Sequence, residues 1–185
     1  DEKNTAMEKA AFQYNGGKEL PDSIFQGHKE LATKIRLWHQ QGEKCLYTGK
    51  NIPISDLIHN QYKYEIDHIL PLSLSFDDSL SNKVLVLATA NQEKGQRTPF
   101  QALDSMDDAW SYREFKSYVK DSKLLSNKKK DYLLTEEDIS KIEVKQKFIE
   151  RNLVDTRYSS RVVLNALQDF YKAHKSFLIC FYRTK

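Results

Sequence analysis

The sequence predicts an α+β fold in which a strand, a long loop, a second strand and a short helix form a core flanked by helices. Three observations predict it. Two runs rich in β-branched, aromatic and leucine residues, "YKYEIDHILPL" and "KVLVLAT", are separated by the polar stretch "SLSFDDSLSN". Immediately after the second run, "ANQEKGQRTPFQALDS" has helical composition broken near Gly95 and Pro99. On both sides lie segments whose apolar residues recur at helical spacing.

Taken in order, "DEKNTAMEKAAFQYNGGKELPDSIFQGHKE" starts polar and helix-like and breaks at Gly16-Gly17 and Pro21, which makes residues 1–27 an incoming linker. "KELATKIRLWHQQGEK" sets Leu31, Ile35 and Trp38 on one helical face, with Gly42 just past its end as a stop signal. "CLYTGKNIPISDLI" carries a Thr-Gly turn and a proline, the pattern of a short hairpin or extended connection. The first strand run ends at Pro71, which cannot donate to a ladder. Beyond the central core, "DDAWSYREFKSYVKDS" reads as helix. So does the long stretch from Thr135 to Lys175, where Thr135 and Asp138 form a candidate capping box.

The 185 residues suffice for one domain with a core, and their composition, 39% hydrophobic, 30% charged and 11% aromatic, is that of a soluble globular protein. No apolar run reaches membrane-spanning length, and the first residues lack a basic-then-apolar signal pattern, so neither a membrane partner nor secretion is expected. Cys45 and Cys180, the two cysteines, lie far apart, as in a chain kept reduced. A net charge of +3 does not by itself announce nucleic acid, but Lys83, Lys94 and Arg97 flank the central motif and form a candidate phosphate-binding patch. The lysines between 116 and 130 read better as a solvated face.

The chemistry concentrates in "EIDHILPLSLSFDDSLSNKVLVLATANQEKG", where Asp67 and His68 interrupt a run that otherwise reads as buried strand. Titratable groups are costly in such a place unless something pairs with them. Adjacent strand residues point to opposite faces, so both can serve one site only at a bend or from opposite edges. Asp77-Asp78 reads as a pair of turn-forming acids in a polar loop. Trp38 and Trp110 read as core or interface aromatics, and His39 and His59 as structural or surface residues.

The Asp-His pair, the strand-loop-strand-helix order and the downstream asparagine resemble the HNH nuclease motif, whose ββα-metal fold holds one divalent cation between strand and helix. Over residues 28–175, the blocks "RLWHQQGEKCLYTGKNI", "EIDHILPLSLSFDDSLSNKVLV", "NQEKGQRTPFQAL" and "KQKFIERNLVDTRY" resemble the HNH domain and exit linker of the type II CRISPR RNA-guided DNA endonucleases, the Cas-nine family. That resemblance implies an HNH domain over 28–135, then a helical exit linker and the start of a neighbouring RuvC-like segment over 136–175. The last residues, 176–185, "SFLICFYRTK", depart from the family pattern.

What the resemblance implies about the site is specific. His68 is the general base that takes a proton from the attacking water. Asp67 and Asn91 are catalytic residues as ligands of a magnesium ion, for which manganese can substitute. Asn82, the middle asparagine, supports the loop or the histidine. Many HNH proteins also carry a C-x-x-C pair for structural zinc. Here the place reads Cys45-Leu46-Tyr47-Thr48, so no structural zinc is expected. The implied partners are the target DNA strand, its heteroduplex with guide RNA, the RuvC-like and other domains of a parent effector, and protein inhibitors of that effector, all in a bacterial cytoplasm. A free-standing HNH homing or restriction endonuclease is the nearest alternative, and a non-catalytic nucleic-acid-binding domain the more distant one.

Overall fold

The computed structural model describes residues 2–138 and 141. Apart from Lys141 these belong to the first of two units, Asp1–Asp138 and Ile139–Lys185. Residues 135–138 are described and are not helical, and Thr135 Oγ1 donates back to the Asp131 carbonyl at 2.8 Å, so the helix expected to start at Thr135 does not begin there. The helical reading beyond Lys141, most of the exit linker, Cys180 and the divergent tail lie outside the described residues.

The fold is helical around a two-stranded antiparallel sheet. β1 (Tyr64–His68) and β2 (Lys83–Leu87) pair in the register Tyr64 with Leu87 through His68 with Lys83. Val84, Leu85 and Val86 of β2 are all buried, as expected of a strand covered on both faces. The far edge of β2 is not left raw. The Gln41 carboxamide accepts from the Leu85 amide (3.0 Å) and donates to the Leu85 carbonyl (2.5 Å), and the Leu87 amide donates to Cys45 Sγ (3.4 Å). A side-chain amide thus stands in for a third strand, satisfying groups that would otherwise be buried unpaired.

α2 (Leu31–Gln40) packs against β2 and buries Leu31, Ile35, Leu37 and Trp38. Trp38 is wholly buried and its indole donates to the Ile52 carbonyl at 2.8 Å. α1 (Glu2–Asn15) makes the first half of the incoming segment a packed helix. It packs against α2 and the helix Ile54–His59 with Ala6, Ala10 and Ala11 buried, and Glu2 accepts from Arg36 and Gln40. Small alanines allow close approach, so the helix docks despite a largely polar sequence.

The segment expected to be hairpin or extended splits in two. Lys44 and Asn51 form an isolated antiparallel bridge around the Thr48-Gly49 turn. After Pro53 the chain turns into α3 (Ile54–His59), which buries Ile54, Leu57 and Ile58. Proline pre-sets the dihedral that starts a helix. Gly49 sits at φ +69°, and a Cβ there would lie 2.7 Å from the Trp110 ring, whose Nε1 donates to the Leu46 carbonyl.

Between the strands, α4 (Leu72–Ser75) follows Pro71 and ends at Phe76 in the left-handed region (φ 53°). After β2 come α5 (Ala88–Lys94), stopped by Gly95 at φ +57°, and α6 (Pro99–Ala102), capped by a reciprocal Thr98–Gln101 box. Ser111 and Glu114 form the same box for α7 (Tyr112–Asp121), and Ser126 caps α8 (Asn127–Leu133). α8 corrects the reading of the lysine run as a solvated face at one position, since Lys120 and Lys123 are exposed but Lys129 is not. Lys129 is 3% exposed, donates to Gln40 Oε1 at 2.8 Å, and is held down to a pKa of about 8 by burial.

Candidate active site

Strand alternation decides the layout of the site. Glu65 and Asp67 project to one face of β1, and His68 to the other, at the last residue before the chain leaves the sheet. The two neighbours are thus separated as the sequence requires, and each finds its own partners.

On the first face, α5 crosses the strand. Asn91 and Lys94, three residues apart and so on one side of the helix, meet Glu65 and Asp67, two residues apart on the strand. Asn91 Nδ2 donates to Glu65 Oε2 at 2.7 Å, and Lys94 Nζ to Asp67 Oδ2 at 2.8 Å. The same Asp67 oxygen accepts from the Tyr47 hydroxyl at 2.6 Å. Tyr47 is wholly buried, and burial first, then the Asp67 charge, push its pKa well up, so the hydroxyl remains a donor.

Lys94 departs from its sequence assignment as a phosphate contact. It is 1% exposed and spends its donors inward, on Asp67 and on the His68 (3.0 Å) and Gly95 (3.4 Å) carbonyls, with its ammonium over the Tyr47 ring. The cause is the largely enclosed carboxylate of Asp67, which needs a cation in this setting. Burial lowers the Lys94 pKa and Asp67 partly restores it.

On the second face, His68 Nε2 lies 2.8 Å from Asp78 Oδ1. Asp78 also pairs with Lys83 at 2.8 Å, and the hydrogen bonds from Lys83 and His68 lower its pKa. Asp78 is therefore more than a turn acid, although Asp77 fits that description. Asp77 Oδ1 accepts from the Ser79 amide at 2.8 Å, a local turn, while Oδ2 accepts from the Tyr132 hydroxyl of α8 at 2.8 Å. No local pattern in the sequence marks Asp78 as the histidine's partner. The one available signal was its place ten residues downstream, in the loop returning to the strand beside His68.

Asn82 lies beneath this loop at 0% exposure. Its Oδ1 accepts from the Leu70 amide (2.9 Å). Its Nδ2 donates to the carbonyls of Leu70 (2.9 Å) and Asp77 (2.8 Å) and lies 3.3 Å from Ser75 Oγ. Arg97 lies at the site's edge, donating to the Lys94 and Glu93 carbonyls and to Ser105 Oγ.

The donor set on the first face suits a hard cation. Among the described residues no donor reaches Asp67 Oδ1 or Asn91 Oδ1, and the Glu65 carboxylate, which sequence reasoning passed over, accepts from the Asn91 amide. These are oxygen ligands, the kind magnesium and manganese prefer. Among the described residues, no group of three or more His, Cys, Asp or Glu side chains is arranged to hold a metal by themselves. Cys45 is a buried core residue with its sulfur turned to the Leu87 amide.

Comparison with known proteins places this geometry. The family model for HNH endonucleases matches residues 45–100, from the Thr-Gly turn segment through the start of α6. Over 175 residues, 95% of this chain, it is 76% identical to the CRISPR-associated endonuclease Cas9 1 of Streptococcus thermophilus, and over 145 residues 47% identical to the Cas9 of Staphylococcus aureus. It spans 16% and 14% of those proteins' lengths. Crystal structures of S. thermophilus Cas9 in complex with AGGA PAM and with the AGAA PAM superpose at a TM-score of 0.79, with 73% and 74% identity, covering 95% of this chain and 17% of theirs. By its β1–β2–α5 core and by these matches, the chain belongs to the HNH endonucleases, in the form that family takes within Cas9 proteins.

Proposed function

We propose that this chain is the part of a CRISPR effector that hydrolyses the DNA strand paired to guide RNA, with His68 as general base and Asp67 and Asn91 as ligands of a magnesium ion. The observation that carries this reading is the division of labour at the end of β1. A histidine fixed by a carboxylate projects from one face, and oxygen donors with spare valence gather on the other.

His68 takes the proton of the attacking water. Asp78, accepting from Nε2–H, leaves Nδ1 as the nitrogen that can receive it. The His68 carbonyl is tied to Lys94, so backbone and ring are held at two points. Asp67 and Asn91 would hold the cation, with Glu65 orienting the Asn91 amide and Tyr47 the Asp67 carboxylate. When bound, magnesium or manganese offsets the charge that develops on the phosphate and the leaving oxygen. Asn82 keeps the loop that carries Asp78 in place. Lys83 and Arg97 at the rim are the groups offered to flanking phosphates, Lys83 by exchanging its Asp78 partner.

The test places this chain in the matching region of the S. thermophilus relative and measures single-turnover cleavage with each DNA strand labelled. His68→Ala is expected to stop cleavage of the guide-paired strand while the other strand is still cut. Loss confined to the other strand, or undiminished cutting of the guide-paired strand in excess chelator, overturns the reading.

A further inference from the structure

Lys94 is a buried cation whose charge the proposed hydrolysis does not use, beyond the tie it gives to the His68 carbonyl. Around its Nζ stand a carboxylate oxygen of Asp67 at 2.8 Å, the His68 carbonyl at 3.0 Å, the Gly95 carbonyl at 3.4 Å and the face of the Tyr47 ring, 5.7 Å to its centroid. This is a shell of oxygens and one electron-rich face, the surroundings a cation seeks when it leaves water. Its centre is Asp67, whose side chain is only 11% exposed. A carboxylate so far removed from water requires a positive charge, and the chain supplies one on a four-carbon stem at the last residue of α5, next to the stop at Gly95.

We propose that Lys94 is a tethered placeholder for the divalent cation, and that it sets the affinity of the site by competing for Asp67. This rests on the reading of Asp67 as a metal ligand. With no divalent ion bound, the ammonium neutralises Asp67 and keeps the β1–α5 interface closed. A divalent ion entering beside Asp67 takes over that neutralisation and repels the ammonium, which must give up its bond to the carboxylate. The metal therefore binds at the cost of an existing ion pair, and its apparent affinity is lower than the oxygen set alone would give.

The opposite role makes the opposite prediction. If Lys94 were a supporting group for the bound metal, as outer ligands of metal sites commonly are, its removal would weaken binding. If it is a competitor, its removal tightens binding and makes the fold lean on the metal.

The experiment uses the 185-residue chain and manganese as the probe. Free Mn²⁺ is followed by electron paramagnetic resonance, and thermal melts are recorded with and without the ion. Lys94→Met is expected to bind Mn²⁺ about tenfold to a hundredfold more tightly than the unaltered chain. It should melt at lower temperature in chelator and regain most of the loss in saturating Mn²⁺. Lys94→Gln, which keeps a donor for the His68 carbonyl, should tighten binding in the same direction and covers the case in which the methionine variant folds poorly. Lys94→Arg keeps the charge and should bind no tighter than the unaltered chain. Neutral variants that bind Mn²⁺ equally or less tightly overturn the placeholder while leaving the metal reading standing. If Mn²⁺ binding by the unaltered chain and the neutral variants survives Asp67→Ala unchanged, the metal reading itself fails, and this proposal with it.

Discussion

The two faces of β1 differ in how completely their polar groups are satisfied, and the two asparagines show what that difference means. Asn82, under the His68 face, is wholly buried and engages both ends of its carboxamide with the loop, so it has nothing left for a ligand. Asn91, on the Asp67 face, donates to Glu65 and keeps its carbonyl oxygen unclaimed among the described residues. One residue type thus serves as scaffold where its valence is filled and as a candidate ligand where it is not. The histidine gains rigidity from the filled side. The cation would gain its oxygens from the other.

The sharpest way to break this comparison is to remove one functional group from each face and read cleavage in the S. thermophilus context described above. His68→Ala is expected to lower the rate by about a hundredfold to ten-thousandfold, the range for losing a positioned general base. Asn91→Ala should cost roughly a hundredfold, as for a main transition-state contact. A near-normal rate for Asn91→Ala beside a folded but inactive Asn82→Ala would show that the two asparagines have been assigned in reverse.

Asp78 probes the same contrast more gently. Asp78→Ala frees the imidazole ring and should slow turnover by about tenfold with little change in KM, whereas Asp78→Glu should recover part of the rate. An equal loss in both, together with a lowered melting temperature, would make Asp78 a loop residue only.

Asn82→Ala should act on stability before activity. It strips the partners from buried backbone groups of Leu70 and Asp77, and a loss of about 3 kcal/mol is expected. Chemical denaturation measures it. A variant as stable as the unaltered chain would contradict the scaffold role.

The smallest expected effect is on pH dependence. Burial alone would raise the Asp77 pKa, but the side-chain and backbone hydrogen bonds of Ser79 and the Tyr132 hydroxyl outweigh it, leaving the carboxyl below its ordinary 3.8. A depressed carboxyl contributes stability that is complete above the unfolded value and is lost as the pH falls through the folded one. The loop face should therefore weaken in acid below about pH 4. Asp77→Asn should flatten that part of the melting curve, and an unchanged acid slope would remove Asp77 as its source.

Much of this arrangement was legible in the sequence because it depends on local pattern. Gly95 marks a real end, the apolar spacing of Leu31, Ile35 and Trp38 gives α2 its buried face, and alternation along β1 separates Asp67 from His68, although the strand stops at His68 rather than at Pro71, which instead leads into α4. What escaped depends on contacts made across the fold. Glu65 matters only because α5 lies over it, Asp78 only because the loop folds back on His68, and Lys94 turns inward only because α5 lays it over Asp67. A lysine's charge can be read from sequence, but the direction of its flexible stem cannot. α3 was hidden by a proline that reads equally well as a turn or a helix start. The helical character of α1 was legible, but its packing was not, because its buried face is alanine rather than leucine.

The bond from Tyr132 to Asp77 also places the active site in time. The two residues stand 55 positions apart, so a ribosome adding 5–20 residues per second makes the tyrosine roughly 3–11 s after the aspartate. Early in that interval β2 and α5 follow β1 off the ribosome, and Asn82 comes with them to gather its loop, but the strap from α8 is still unsynthesised. The loop bearing the partner of His68 is thus completed by one of the last-made helices of the first unit. A nascent chain that stalls before Tyr132 carries the residues of the motif without the tether that finishes it.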